Sequence, residues 1–262
     1  LPKGYQISQY ELPFCEEGWL EIKDDQGKPY RVGIKRVHLE EDAGKLMHSS
    51  EGDGDCSLVD YNRSSVPLLE IVTDHERNPM RSLQEARNYL EKLRQTLKYI
   101  EISECMMERG QLRCDVNISI RPKGAAEFGN RAEIKNMSSF RFIMEALEYE
   151  IKRQKELIES GKTVQQETRL FDEQKKITLP MRSKEDAPDY RYFPDPDLME
   201  VKLDDDFIAE IEKTMPELPD RQLKRIMEQY GIPAGDAIIL TRDRAVSEYF
   251  TACAVMCEDR KR

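Results

Sequence analysis

Tyr30-Arg31-Val32-Gly33-Ile34-Lys35-Arg36-Val37-His38-Leu39, running on into Glu40-Glu41-Asp42-Ala43-Gly44-Lys45, is the stretch that decides the architecture. From Tyr30 to Leu39 apolar residues alternate with charged or small ones, the two-residue period of a β-strand with one face toward a core. Val32 and Ile34 occupy even positions, Val37 and Leu39 odd ones. A β-bulge near Lys35 reconciles the two halves. His38, Glu40 and Asp42 then share the face opposite Leu39. Three acids bunched at a strand end repel one another unless something positive lies between them. A hard divalent cation such as Mg²⁺, with phosphate beyond it, suits that position. A charged strand end running into a solvated turn is the other reading, since charge runs usually face water.

Outward from this strand the pattern is mixed α and β. Residues 1–14 read as loop and short strand, punctuated by Pro2, Gly4 and Pro13. Trp19–Lys23 forms a hairpin with Tyr30–Leu39 through the turn Asp24-Asp25-Gln26-Gly27. Residues 49–55 are a loop tip, and 57–62 and 67–73 are the next strands. The second of these, Pro-Leu-Leu-Glu-Ile-Val-Thr, carries one acid, Glu70, among apolar neighbours. A carboxylate in such a strand needs either a wetted face or a cationic partner. A helix over 81–100 follows, with Ser82 and Glu85 as a capping box and an apolar stripe through Leu90, Leu93 and Leu97. Residues 111–121 alternate cleanly, with Arg113, Asp115, Asn117 and Ser119 on the polar face. A strand over 131–136 leads into a helix over 138–160 closed by Gly161, and strands near 164–171 and 176–179 come next. Residues 180–198 combine three prolines with Arg182, Lys184, Arg191 and three aromatics, a composition that suits phosphate clamping or a stiff linker. Beyond 200 the pattern is all helical: 204–215, 219–230, 234–240 and 242–257. Cys253 and Cys257 share one face of the last helix and read as buried thiols.

The chain has 262 residues, enough for one large domain or two smaller ones. With 35% charged and 39% hydrophobic residues it reads as globular, and no apolar run approaches the ~20 residues of a membrane span. No secretory leader is evident. The six cysteines lack a Cys-x-x-Cys pair, which argues against a zinc ribbon or a disulfide framework and for reduced thiols in a cytosol or an organelle matrix. A net charge of −10 argues against non-specific grip on nucleic acid, though a local patch on folded RNA is compatible with it.

Neither a Walker-type glycine loop nor a G-x-S-x-G elbow is present. What remains is a set of acids on successive strands, His38, Glu40, Glu41, Glu70, Asp115 and Glu133 (with one histidine among them). Cations accompany them: Arg113, Lys135, Arg182, Lys184 and Arg191. Carboxylates holding Mg²⁺ with Arg and Lys against phosphate make an ATP site without a P-loop, fit for phosphoryl transfer. A non-catalytic RNA-binding or scaffold module would scatter these acids, whereas an enzyme would gather them. A free-standing ATP-dependent ligase acting on a small carboxylic acid is a further alternative.

Several blocks also carry a resemblance. RVHLEEDAGK (36–45), SLVDYNRSSVPLLEIVT (57–73), LRCDVNIS (112–119), EIKNMSSFRF (133–142), QETRL (166–170) and MRSKEDAPDYRYFPDPDL (181–198) resemble, in order, the GatB family of aspartyl/glutamyl-tRNA amidotransferase subunits, with the archaeal GatE proteins close relatives. The resemblance implies an α+β fold: a glutamine-synthetase-like cradle of antiparallel sheet and packed helices over 1–200, then an all-helical segment over 201–262. It implies ATP-dependent activation of Glu-tRNA(Gln) or Asp-tRNA(Asn), followed by amidation with ammonia. The ammonia comes from a separate glutaminase subunit, and a third, small subunit clasps the pair. No membrane or DNA partner is expected. The HLEED and PLLEI stretches imply Mg²⁺ ligands, here His38, Glu40, Glu41, Asp42 and Glu70, with Glu40, Glu41 and Glu70 the expected catalytic acids. Asp115 as a further ligand, and Lys135, Arg182, Lys184 and Arg191 as nucleotide contacts, follow from their faces and motifs. The family pattern also has an earlier strand of the type Gly-Leu-Glu-Ile-His and a helical tail domain that this chain lacks. Together with a first residue that is Leu rather than Met, this leads to the expectation that the chain alone is inactive.

Overall fold

The computed structural model describes residues 5–49, 56–181, 193 and 195–257, with side chains described except at 45–49 and 56. They gather into two compact units: the described residues of 5–82 with 193 and 195–201, and residues 83–181 with 202–257.

In the first unit, β1 (Cys15–Lys23) and β2 (Pro29–Glu41) form the expected hairpin. Its turn is tied by Asp24, whose Oδ1 accepts from the Gln26 and Lys28 amides at 2.9 Å each, and Gly27 takes the left-handed φ of 76° that glycine tolerates best. β3 (Lys45–Ser49) and β4 (Cys56–Asp60) pair as a separate two-stranded ribbon, of which the sequence pattern reveals only the second strand. β5 (Pro67–Thr73) completes an antiparallel sheet in the order β1-β2-β5. The register between β2 and β5 shifts between Ile34 and Arg36, so Lys35 is the extra residue of a bulge. Val32 is fully buried, whereas Val37 and Leu39 are only partly so. At Gly33 the chain has no room for a side chain: a Cβ there would stand 2.2 Å from the Arg77 carbonyl oxygen, where the turn after β5 crosses β2.

The second unit begins with α1 (Leu83–Tyr99), followed by a 3-10 turn (Met107–Arg109). β6 (Val116–Ile118), β7 (Ala132–Lys135), α2 (Phe140–Glu159), β8 (Glu167–Asp172) and β9 (Ile177–Pro180) form a four-stranded sheet in chain order with a helix across it. Two features depart from expectation. β7 and β8 are parallel, because the twenty-residue α2 carries the chain back across the sheet. The strand expected over 111–121 shrinks to three residues because a helix side chain takes over the pairing. Gln154 of α2, fully buried, accepts from the Ile120 amide (3.1 Å) and donates to the Ile118 carbonyl (3.2 Å).

Glu150, one turn before Gln154, is also fully buried. Its carboxylate accepts from Arg153 (2.5 and 2.9 Å), Gln154 (3.0 Å) and the Thr178 hydroxyl of β9 (3.0 Å). Arg169 of β8 in turn donates to the Thr178 hydroxyl and carbonyl, both at 2.8 Å. A buried charge survives only when compensated in this way. Ile134 of β7, Ile143 and Ala146 of α2 and Phe171 of β8 are buried as well.

α3 (Asp205–Thr214), α4 (Pro219–Tyr230), α5 (Ala234–Leu240) and α6 (Arg244–Met256) close the chain. Ile226, Tyr230, Ala237 and Ala254 make the core of the last three. α1 joins it by donating from the Tyr99 hydroxyl (2.5 Å) and the Gln95 amide (2.8 Å) to the Thr241 carbonyl at the end of α5. Of the pair read as buried thiols, Cys253 is half-buried and Cys257 is exposed, because α6 ends at Met256. No described helix is long and apolar enough to cross a membrane.

Candidate active site

Three sequence-predicted residues come together at the end of β2. His38 and Glu70 are direct cross-strand partners, and Glu40 lies two residues further along β2, so all three project from one face of the sheet. The His38 Nε2 lies 2.9 Å from Glu70 Oε2 and 3.2 Å from Glu40 Oε1. One ligand atom from each residue falls within 4.8 Å of the others. Carboxylates only accept, so Nε2 carries the proton and shares it between them. This face, expected to be the wetter one, buries His38 completely. The cause is the segment before β1. Ser8 bridges to Glu40 in antiparallel fashion, the Gln9 amide donates to the Leu39 carbonyl (3.0 Å) and the Glu41 amide to the Ile7 carbonyl (3.3 Å). The Tyr10 ring stands edge-on to His38 at 6.2 Å and carries the Arg36 guanidinium on its face at 4.3 Å.

The same segment fixes one carboxylate and leaves the other accessible. Glu40 accepts from Ser8 Oγ (2.9 Å) and Gln6 Nε2 (3.0 Å), and its side chain is 14% exposed. Glu70 is 48% exposed. Sequence reasoning misses Gln6 and Ser8; their one signal is the alternation Gln6-Ile7-Ser8-Gln9-Tyr10 in a stretch that reads mostly as loop. Glu41 alternates to the opposite face of β2. Asp42, past the strand end, pairs with Arg63 at 3.0 Å.

The donor set fits a divalent cation. Two carboxylate oxygens match the hard, oxygen-seeking Mg²⁺. The imidazole is the weaker match. A metal-bound histidine normally donates its other N–H to a partner, and His38 Nδ1 is buried without one among the described residues. The geometry therefore suits Glu40 and Glu70 as ligands, with His38 holding them together.

In the second unit, Asp115 and Lys135 meet each other. Lys135 Nζ lies 3.1 Å from Asp115 and 3.3 Å from Glu133, and Glu133 also accepts from the Thr168 hydroxyl at 2.8 Å. Burial pushes the Lys135 ammonium down, but the two acids outweigh it and raise it above its ordinary value, so it stays charged. Arg182, Lys184 and Arg191 lie outside the described residues.

Beside this geometry, comparison with known proteins decides the family. Residues 1–209 match the model of the GatB/GatE catalytic domain. The chain belongs to the GatB/GatE family. It is 54% identical, over 97% of its length, to the B subunit of the aspartyl/glutamyl-tRNA(Asn/Gln) amidotransferase of Caldicellulosiruptor saccharolyticus, and covers 52% of that protein. It is likewise 54% identical over 95% of its length to the protein of that name from Thermodesulfovibrio yellowstonii, covering 51% of it. The Thermoanaerobacter sp. counterpart is 50% identical across 100% of the chain, which covers 54% of it. The chain thus spans about half the length of the curated relatives it matches. α4, α5 and α6 lie beyond the part matched by the GatB/GatE catalytic-domain model.

Proposed function

We propose that this GatB/GatE chain supplies the activation site of an ATP-dependent tRNA amidotransferase. In this reading the side-chain carboxylate of Glu-tRNA(Gln) or Asp-tRNA(Asn) attacks the γ-phosphorus of ATP and ADP leaves. Ammonia then attacks the acyl carbon, phosphate leaves, and the amide forms. The ammonia would come from a separate glutaminase subunit, with a third, small subunit joining the two, in a bacterial cytoplasm or a mitochondrial matrix. The observation that carries this reading is the meeting of His38, Glu40 and Glu70 on one sheet face in a chain of this family. Bound at Glu40 and Glu70, Mg²⁺ would offset the negative charge of the nucleotide phosphates.

The chain's own residues prepare that place. Gln6 and Ser8 fix the Glu40 carboxylate, and the His38 N–H keeps Glu40 and Glu70 within reach of one ion. Lys135, Arg182, Lys184 and Arg191 are the proposed nucleotide contacts, and the mixed α and β elements are read as a glutamine-synthetase-like cradle. The family membership supports both. The test is an amidation assay with the partner proteins of the complex, offering Glu-tRNA(Gln) and Asp-tRNA(Asn) with and without ATP and Mg²⁺. Amide formation on at least one tRNA, dependent on both additions, is expected. Amide formation that continues without ATP sinks the reading.

A further inference from the structure

No residue of α3 is buried. Phe207, Ile208, Ile211 and Met215 at its end are each between 44% and 48% exposed, and Leu203 just before it is 42% exposed. Their spacing puts the four on a single stripe of the helix. A helix of ten residues is marginal in water by itself, and such stripes ordinarily gain their stability by being covered. The borders of this stripe are acidic on both sides. Asp206 and Glu210 lie one turn apart along one edge, and Asp205 and Glu212 two turns apart along the other. Asp204 caps the start, accepting from the Phe207 amide at 2.8 Å. Lys213 is the single cation of the helix and lies away from the stripe. Acids in the first turn complement the helix dipole, but Glu210 and Glu212 lie beyond it and are exposed, so the dipole does not account for them.

We propose that α3 is a docking surface for a protein segment of complementary chemistry: an amphipathic helix whose apolar face is bordered by Lys and Arg. The charge pattern selects this occupant over others. RNA phosphates and anionic lipid would meet acids on both sides of the stripe. A second copy of α3 would bring the same acidic borders face to face. An apolar helix with basic borders instead covers the stripe and pairs with all four flanking acids, a helix-in-groove mode read by anchors at three- and four-residue spacing. The surface is independent of the carboxylate site and does not rest on the proposed amidotransferase reading.

The test uses the full chain and a fluorescent helical peptide of leucine and lysine in amphipathic order, beside the same peptide with glutamate in place of lysine. Fluorescence anisotropy is expected to show binding of the lysine peptide only, weakening as salt rises. Ile211→Asp should weaken it about thirtyfold, the scale of losing a central apolar anchor. Glu210→Lys combined with Glu212→Lys should weaken the lysine peptide and admit the glutamate one. Both variants change exposed positions, and unchanged circular dichroism would show that the fold persists. Equal binding of both peptides, or indifference to Ile211→Asp, overturns the proposal. So does self-association through α3 in sedimentation without peptide binding.

Discussion

Replacing Glu70 by glutamine gives two readouts of opposite sign. The ligand atoms of His38, Glu40 and Glu70 lie within 4.8 Å of one another. Two carboxylate charges at that spacing repel by about 3.5 kcal/mol at an effective dielectric of about 20. Glu70 is 48% exposed, so solvent and salt screen much of this, and about 1 kcal/mol remains. The glutamine oxygen still accepts the His38 N–H, so that hydrogen bond survives. In chelator, the full-length Glu70→Gln protein should therefore melt above wild type, by about 2–4 °C. On the proposed reading Mg²⁺ should reverse the order, because an ion held by Glu40 and Glu70 would cancel the repulsion in wild type and would bind the folded state preferentially. The variant offers a neutral oxygen and gains little. Calorimetric scans with EDTA and with Mg²⁺ read both effects. If the proposed function holds, amidation by the assembled complex should fall about a hundredfold, the scale of losing one group that stabilises transition-state charge, while any glutaminase activity of the partner subunit persists. A variant that melts below wild type in EDTA, or gains as much from Mg²⁺, would refute the reasoning.

Further outcomes follow at three other positions of the fold. Glu150→Ala should cost about 3–5 kcal/mol in urea unfolding, because it strips the partly buried Arg153 and the buried Gln154 and Thr178 groups of their acceptor; a loss under about 1 kcal/mol would contradict that role. Burial pushes the Glu150 carboxyl up, but hydrogen bonds from Arg153, Gln154 and Thr178 outweigh it and hold it below its ordinary value of 4.5. Its stabilising contribution is therefore present above that value and lost as pH falls through the depressed one, so Glu150→Gln should flatten the acid limb of stability against pH. Gly33→Ala should cost about 1–3 kcal/mol by driving the turn at residues 74–78 off β2, and a neutral result would mean that turn yields freely. If Lys135 is the nucleotide contact proposed above, Lys135→Met should raise the KM for ATP about tenfold with less effect on kcat, and an unchanged KM would remove it from the proposed contacts.

Much of the architecture is legible because it is local. The bulge at Lys35 shows as a parity break in the apolar pattern, the β1–β2 turn shows in its residues, and α4 and α5 begin and end where their proline, glycine and apolar spacing indicate. What stays hidden is non-local. The alternation over 111–121 reads as a long strand because nothing in it announces that Gln154, more than thirty residues later, supplies the pairing. The parallel alignment of β7 and β8 depends on where α2 returns the chain. At the candidate site, periodicity assigns His38 and Glu40 to one face but cannot say whether that face is covered. Gln6, Ser8 and Tyr10 decide this from a segment whose own pattern is too short to stand out.

The meeting of His38 and Glu70 depends on one residue of register. Ile34 pairs with Thr73, and had β2 continued without a bulge, Val37 would stand opposite Glu70 and His38 opposite Leu69. A slip of one residue reverses every side chain, so the imidazole and the Glu70 carboxylate would then lie on opposite faces of the sheet. With Lys35 as the extra residue, Arg36 takes Val72 as its partner and His38 takes Glu70. The apolar residues on both sides of the bulge still share a face, Ile34 with Thr73 and Val37 with Ile71. The bulge thus meets two demands at once: it keeps the apolar stripe continuous, and it turns a histidine and a carboxylate from distant parts of the chain toward the same point. Bulges recur beside functional sites because they re-aim side chains in this way. Here the parity break in the sequence and the convergence of the three metal-capable groups are one structural event.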